Sequence, residues 1–128
     1  MDYPTTTKDF EHFKKMFKKW AKRNNLLNYY FEYDHLFFKD QKDLEEDKHD
    51  ALALVYVDME NKTTCAMLNK DSADTKPTKH IMELTAFHEV REVFYYPLRR
   101  LLAPYYSKEY ISEQIHSLIQ VDINMFFP

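Results

Sequence analysis

The chain contains no glycine among its 128 residues. Every turn must then be made by Asn, Asp, Pro or Ser. The same absence removes any glycine-rich phosphate loop, so P-loop and Rossmann-type nucleotide sites are excluded by composition. Cysteine is almost as scarce. Cys65 stands alone, so no intramolecular disulfide can form, which fits a reducing compartment. No apolar run approaches the ~20 residues that span a bilayer. The opening "MDYPTTTKDFEHF" lacks the apolar core of a secretory signal. A cytoplasmic protein without a membrane segment is expected. Nor is there an excess of positive charge. The formal net charge of −3 does not point to a general nucleic-acid binder.

What is abundant is aromatic and apolar. Hydrophobic residues make up 45% of the chain and aromatic residues 16%, enough to bury a real core. The length fits one domain over residues 1–128. Phe10, Phe13, Phe17 and Trp20 recur at three- and four-residue spacing and predict a helix over 7–23, with Thr7 as its cap. Its other face carries Lys14, Lys15, Lys18, Lys19, Lys22 and Arg23. "LLNYYFEYDHLFF" predicts a strand in its middle, with Tyr29, Phe31 and Tyr33 on one face. "KDQKDLEEDKHD" reads as a charged connection. Two apolar segments around Asp58–Asn61 predict a hairpin over 51–70.

A helix is expected from Thr78 to Tyr96, with Pro97 breaking or kinking it and a further helical turn before Pro104. A last helix is expected from about Ser107 to Phe126, with Ile111, Ile115, Leu118, Ile119 and either Asp122 or Ile123 facing inward. Strands grouped between helices predict an α+β fold. It would have an N-terminal helix, a small, mostly antiparallel three-stranded sheet and two closing helices packed on one face.

Chemistry concentrates in "ELTAFHEVREVFYYP", residues 83–97. On a helix, His88 and Glu92 lie one turn apart on the same face, so both could reach one cation. Zinc accepts both ligand types at about 2.0–2.2 Å. Glu89 points slightly aside, where the Glu of a His-Glu-x-x-His site acts as general base on a metal-activated water. A third ligand must come from elsewhere, and the last helix offers Glu113 or His116. His116 sits beside Ile115 and Ile119 and is expected to point inward. The bland alternative is a charged helix turn, with Glu89 exposed beside Arg91.

The order of elements, with "TAFHEVREVF" at 85–94 and "SEQIHSLIQ" at 112–120, resembles a family of small zincin-like proteins encoded by phages. Many members of that family are metallopeptidases. The resemblance covers most of the chain but rests on element order and these two segments. It implies His88 as first ligand, Glu89 as base, and Glu92 in the place of the family's second histidine, with His116 or Glu113 third. The carboxylate at Glu92 is a departure. It would weaken the Lewis acidity of zinc and could favour Mn²⁺. The implied function is a zincin-like metal-dependent peptidase acting on a peptide or a host protein in the host cytoplasm. If Glu92 does not bind, the site is degenerate. A non-enzymatic phage protein that binds and modulates a host protein is then the expectation.

Other features have simpler readings. The basic face of the first helix is expected to be solvated, with its aromatic stripe on the sheet. Tyr95, seven residues after His88, could touch a substrate but more simply packs. Cys65 reads as a small buried hydrophobe.

Overall fold

The computed structural model describes residues 3–72 and 74–128. Helix α1 runs from Thr7 to Arg23. Its cap is Thr6, one residue earlier than expected. The Thr6 hydroxyl accepts from the Asp9 amide at 3.1 Å, and the Asp9 carboxylate accepts from the Thr6 amide at 2.8 Å. Two otherwise orphaned amides are satisfied reciprocally. Phe13, Phe17, Trp20 and Ala21 are buried, and Phe10 packs beside them, as the periodicity predicts. The helix ends at Asn24–Asn25, where Asn25 takes φ 62° in the left-handed region. Asparagine is the residue that enters this region most readily after glycine.

Three strands form the main sheet: β2 (Tyr30–Leu36), β3 (Ala53–Asp58) and β4 (Thr63–Asn69), in the order β2-β4-β3. The class is α+β, as the element order implies. The hairpin partners β3 and β4 are antiparallel, but β2 runs parallel to β4, so the sheet is mixed rather than mostly antiparallel. The physical reason lies in the connection. Residues 37–52 cross from the end of β2 to the start of β3 at the same end of the sheet, so β3 runs opposite to β2 and the tight hairpin returns β4 between them in the direction of β2. That connection contains two single 3₁₀ turns, Phe38–Asp40 and Glu46–Lys48. It also sends Phe38 and Leu44 onto Met67, covering the second face of the sheet. The hairpin turn is held by Asp58, whose carboxylate accepts from the Asn61 amide at 3.2 Å and side chain at 2.8 Å. Lys62 supplies the left-handed residue, with φ 54°. A short ribbon pairs β1 (Tyr3–Pro4) with β5 (Asp71–Ser72); nothing in the sequence pattern announced it.

Helix α2 spans Lys79–Leu102, capped by Thr78. Pro97 was expected to break or kink it, and the helix is unbroken there, running on to Leu102. The turns on both sides are docked: Val90 and Val93 lie in the main core, and Leu102 packs on the last helix. Tertiary packing therefore overrides a local penalty of about 3 kcal/mol. Helix α3 spans Lys108–Phe126, capped by Ser107. It returns antiparallel to α2 and buries Ile111, Ile115 and Ile119. Leu118, expected inside, is 41% exposed. Of the alternatives Asp122 and Ile123, Ile123 continues the apolar row Ile111, Ile115 and Ile119, which advances by four residues and leaves Leu118 beside it. No helix among the described residues is long and apolar enough to cross a membrane.

The main core lies between one face of the sheet and helices α1 and α2. Phe31 and Tyr33 of β2, Ala53, Val55 and Val57 of β3, and Ala66 and Leu68 of β4 meet Phe13, Phe17, Trp20, Phe87 and Val90. Phe17 sits edge-on to Phe31 and Tyr33, with centroids at 5.3 and 5.6 Å. This packing fixes the rotation of α2. Met82, Ala86, Val90 and Val93 face the core, and the flank carrying His88 and Glu92 turns toward α3.

Candidate metal centre

The flank of α2 that carries the motif meets the inner stripe of α3. Three side chains converge there. Nε2 of His88 lies 3.8 Å from Glu92 Oε1, and Nε2 of His116 lies 3.3 Å from the same oxygen. One ligand atom from each of His88, Glu92 and His116 falls within 4.8 Å of the others. The two imidazole rings are 5.6 Å apart. The i, i+4 spacing on α2 brings the first pair together, and the packing of Ile111, Ile115 and Ile119 brings the third.

His116 does not point inward as expected. Its side chain is 58% exposed, and only the imidazole edge reaches Glu92. On α3 the buried row is Ile115 and Ile119, and His116 follows one position round the helix at the rim. Of the two candidate third ligands, His116 converges. Glu113 is exposed and is not one of the three grouped residues.

Glu92 is held by its other oxygen. Arg99 Nη2 donates to Glu92 Oε2 at 3.3 Å, and Arg99 Nη1 donates to Ser112 Oγ at 2.9 Å. Oε1, the oxygen facing both histidines, is buried and has no hydrogen-bond donor among the described residues. A buried acceptor of this kind calls for an ion or a proton donor. Burial holds the His88 imidazole below its ordinary pKa. The Glu92 carboxylate pulls the other way and His116 adds to the lowering. His88 is thus favoured as the neutral imidazole, the form that ligates metal.

Glu89 is neither exposed nor beside a solvated turn. It is only 8% exposed. Burial, and secondarily the negative charge of Glu92, pushes its carboxyl well above the usual carboxylate range. The bland reading of this turn, with an exposed Glu89, does not hold.

Sequence reasoning missed Arg99. Its spacing of seven residues from Glu92 places it two turns along the same face, so the signal was present but reads as an ordinary basic helix end. Tyr95 does not face the three ligands. Its hydroxyl donates to Asp122 at 2.7 Å and accepts from Arg91 at 3.0 Å. Arg91 also donates to Asp122 at 2.9 Å and bonds Asn24, so this cluster ties α1, α2 and α3 together beside the site. Cys65 is half-buried on β4 next to Asp34, and its thiol is pushed up to about 11, mainly by burial. A raised thiol pKa disfavours the thiolate, the nucleophilic form.

No family model matches the chain, and no curated protein or solved structure is significantly similar to it.

Proposed function

We propose that His88, Glu92 and His116 hold a divalent metal ion, and that Glu89 is the general base of a small zincin-like, metal-dependent peptidase. The observation that carries this reading is the buried, donorless Glu92 Oε1 with two imidazole nitrogens at 3.3 and 3.8 Å. Two ligands at about 2.1 Å from a tetrahedral zinc ion lie about 3.4 Å apart. The two distances to Glu92 Oε1 bracket that value, while the three ligand atoms together lie within 4.8 Å, so the two imidazoles would draw closer to each other to hold the ion. Two imidazoles and one carboxylate suit zinc, with manganese as the oxygen-tolerant second choice. Arg99 on Oε2 orients the carboxylate, as outer partners of metal ligands do.

The ion, when bound, supplies Lewis acidity toward a substrate carbonyl and toward water. The chain's own residues do the rest. Glu89, one position from His88 and buried, can take a proton from the attacking water and return it to the departing amine. Its raised proton affinity suits it to hold that proton between the two steps. Strand β3 lies at the edge of the sheet and packs against α2, so its free side could pair with an extended peptide.

Metal content measured by mass spectrometry on untagged protein tests the reading. About one equivalent of zinc or manganese is expected, lost in His88→Ala, Glu92→Ala and His116→Ala. Glu113→Ala should retain it. Glu89→Gln should keep the metal and lose peptide hydrolysis by at least about 100-fold. Absence of metal after loading would sink the hydrolase.

The second reading is a non-enzymatic protein that binds and modulates a host protein. It draws on the exposed apolar side chains Leu101, Val121 and Met125 on the α2–α3 pair. It requires that the metal-ligand substitutions leave partner binding unchanged.

A further inference from the structure

Two turns beyond Glu92, α2 and α3 part at their elbow and leave a cleft of about 280 Å³. Three cationic side chains line it, Arg99, Arg100 and Lys108, and no acidic residue does among the described residues. Its apolar wall includes Tyr96, Tyr106 and Ile111. The cations are incompletely neutralised. Arg99 pairs with Glu92, and Lys108 meets Glu45 at 3.1 Å in a pair that is mostly exposed and therefore weak. Arg100 has no acidic partner among the described residues. The first turn of α3 reaches the same cleft through Lys108 and Ile111, but Ser107 caps its Tyr110 amide and Glu109 lies in that turn, so the positive charge of the cleft comes from the side chains.

We propose that this cleft holds the terminal carboxylate of a peptide whose last side chain is apolar. Guanidinium groups match a carboxylate in charge and in planar geometry, and the tyrosine and isoleucine wall suits an apolar side chain. The volume lies just below the roughly 300–1,000 Å³ of drug-sized sites, so it accommodates one residue and not a folded partner. The cleft shares Arg99 with the metal centre, where the same guanidinium holds Glu92. Seven residues of helix separate Glu92 from Arg99, about 10 Å along the axis, a span that about three extended residues cover. The peptide as ligand class rests on the hydrolase reading above; the carboxylate chemistry of the cleft does not.

The test uses metal-free, isotopically labelled full-length protein and two probes, N-acetylphenylalanine and its amide. The acid should shift the backbone resonances of residues 96–111 and saturate in the millimolar range, and the amide should bind at least tenfold more weakly. Arg100→Gln, at an exposed helix position, should weaken the acid at least fivefold while leaving the rest of the spectrum unchanged. Glu92→Ala should keep or strengthen acid binding, because it frees Arg99. Equal binding of acid and amide, no binding of either, or an unaffected Arg100→Gln variant would each overturn the proposal. So would inorganic phosphate competing as tightly as the acid, which would mark a general anion site. Zinc titration of the same protein separates the two readings. Protein that takes up zinc but ignores the acid loses the cleft alone, and protein that binds the acid but no zinc loses the hydrolase alone.

Discussion

Glu89 shows how burial sets the chemistry of a single side chain. Its carboxyl titrates well above the usual range because burial, first, and Glu92, second, disfavour the charged form. The consequence for stability has a definite sign. A carboxyl with a raised folded pKa costs the fold nothing below its unfolded pKa, about 4.3. Above that value it counts increasingly against folding as pH rises toward the raised folded pKa. Glu89→Gln should therefore be more stable than the parent at pH 7.5 in metal-free protein, with the gap closing toward pH 4. Thermal midpoints of both proteins at the two pH values, in chelator, give the answer; a gap independent of pH would count against a buried, ionisable Glu89. A bound divalent cation lowers the pKa of a nearby carboxyl, so metal loading should shrink the advantage at pH 7.5.

Among the elements, α2 carries the largest conflict between local rule and final structure. Pro97 lies on its exposed side, five residues after Glu92, and cannot donate to the carbonyl of Val93. Pro97→Ala should restore that bond and stabilise the protein by about 1–3 kcal/mol, seen as a higher urea midpoint at unchanged slope. A destabilised variant would mean that the backbone around Pro97 is shaped for the contact between Tyr95, Leu102 and α3. Helix α3 is held by the row Ile111, Ile115, Ile119 and Ile123, by Phe126 against Trp20 and Phe87, and by Asp122 with Arg91, while Val121 and Met125 stay exposed. Ile115→Ala should cost about 2–5 kcal/mol and loosen His116 from Glu92, so zinc affinity should fall with it.

For the whole molecule, two polar hubs tie segments that are distant in sequence. Arg91 joins Asn24 at the end of α1 to Tyr95 on α2 and Asp122 on α3. Asn69, at the end of β4 and 2% exposed, donates to the His49 and Ala51 carbonyls at 3.0 and 2.8 Å. Its side-chain oxygen accepts from the Phe38 and Asp71 amides, each at 3.2 Å. In a chain without glycine, this one amide holds the 37–52 connection against the sheet. Its backbone carbonyl accepts from Thr5 Oγ1 at 2.6 Å, and that hydroxyl in turn meets His35 Nε2 at 2.8 Å. The threonine proton is committed to Asn69, so His35 must carry its proton on Nε2. Asn69→Ala removes the partner of four backbone groups, one in a buried bond and three in part-buried ones, and should destabilise by about 2–3 kcal/mol. Calorimetric unfolding would measure it, and a loss below about 1 kcal/mol would show that water replaces the hub.

The sequence by itself determined the elements whose signals are local. The aromatic stripe of α1, the Asp58–Asn61 turn, the start of the last helix near Ser107 and the His88–Glu92 pair all follow from spacing within one turn or one strand, where neighbours in sequence are neighbours in space. Even the α+β class follows, since it depends only on the order of such elements. Tertiary structure alone decided the rest. The parallel pairing of β2 with β4 depends on a connection whose few apolar residues, Phe38 and Leu44, carry no periodic signal. The continuation of α2 through Pro97 depends on packing that outweighs propensity. His116 at the rim, Glu89 in the interior and Arg99 on Glu92 depend on the rotation of α2 against the sheet and of α3 against α2. Those rotations are fixed by contacts between residues far apart in sequence, and no spacing within one helix records them.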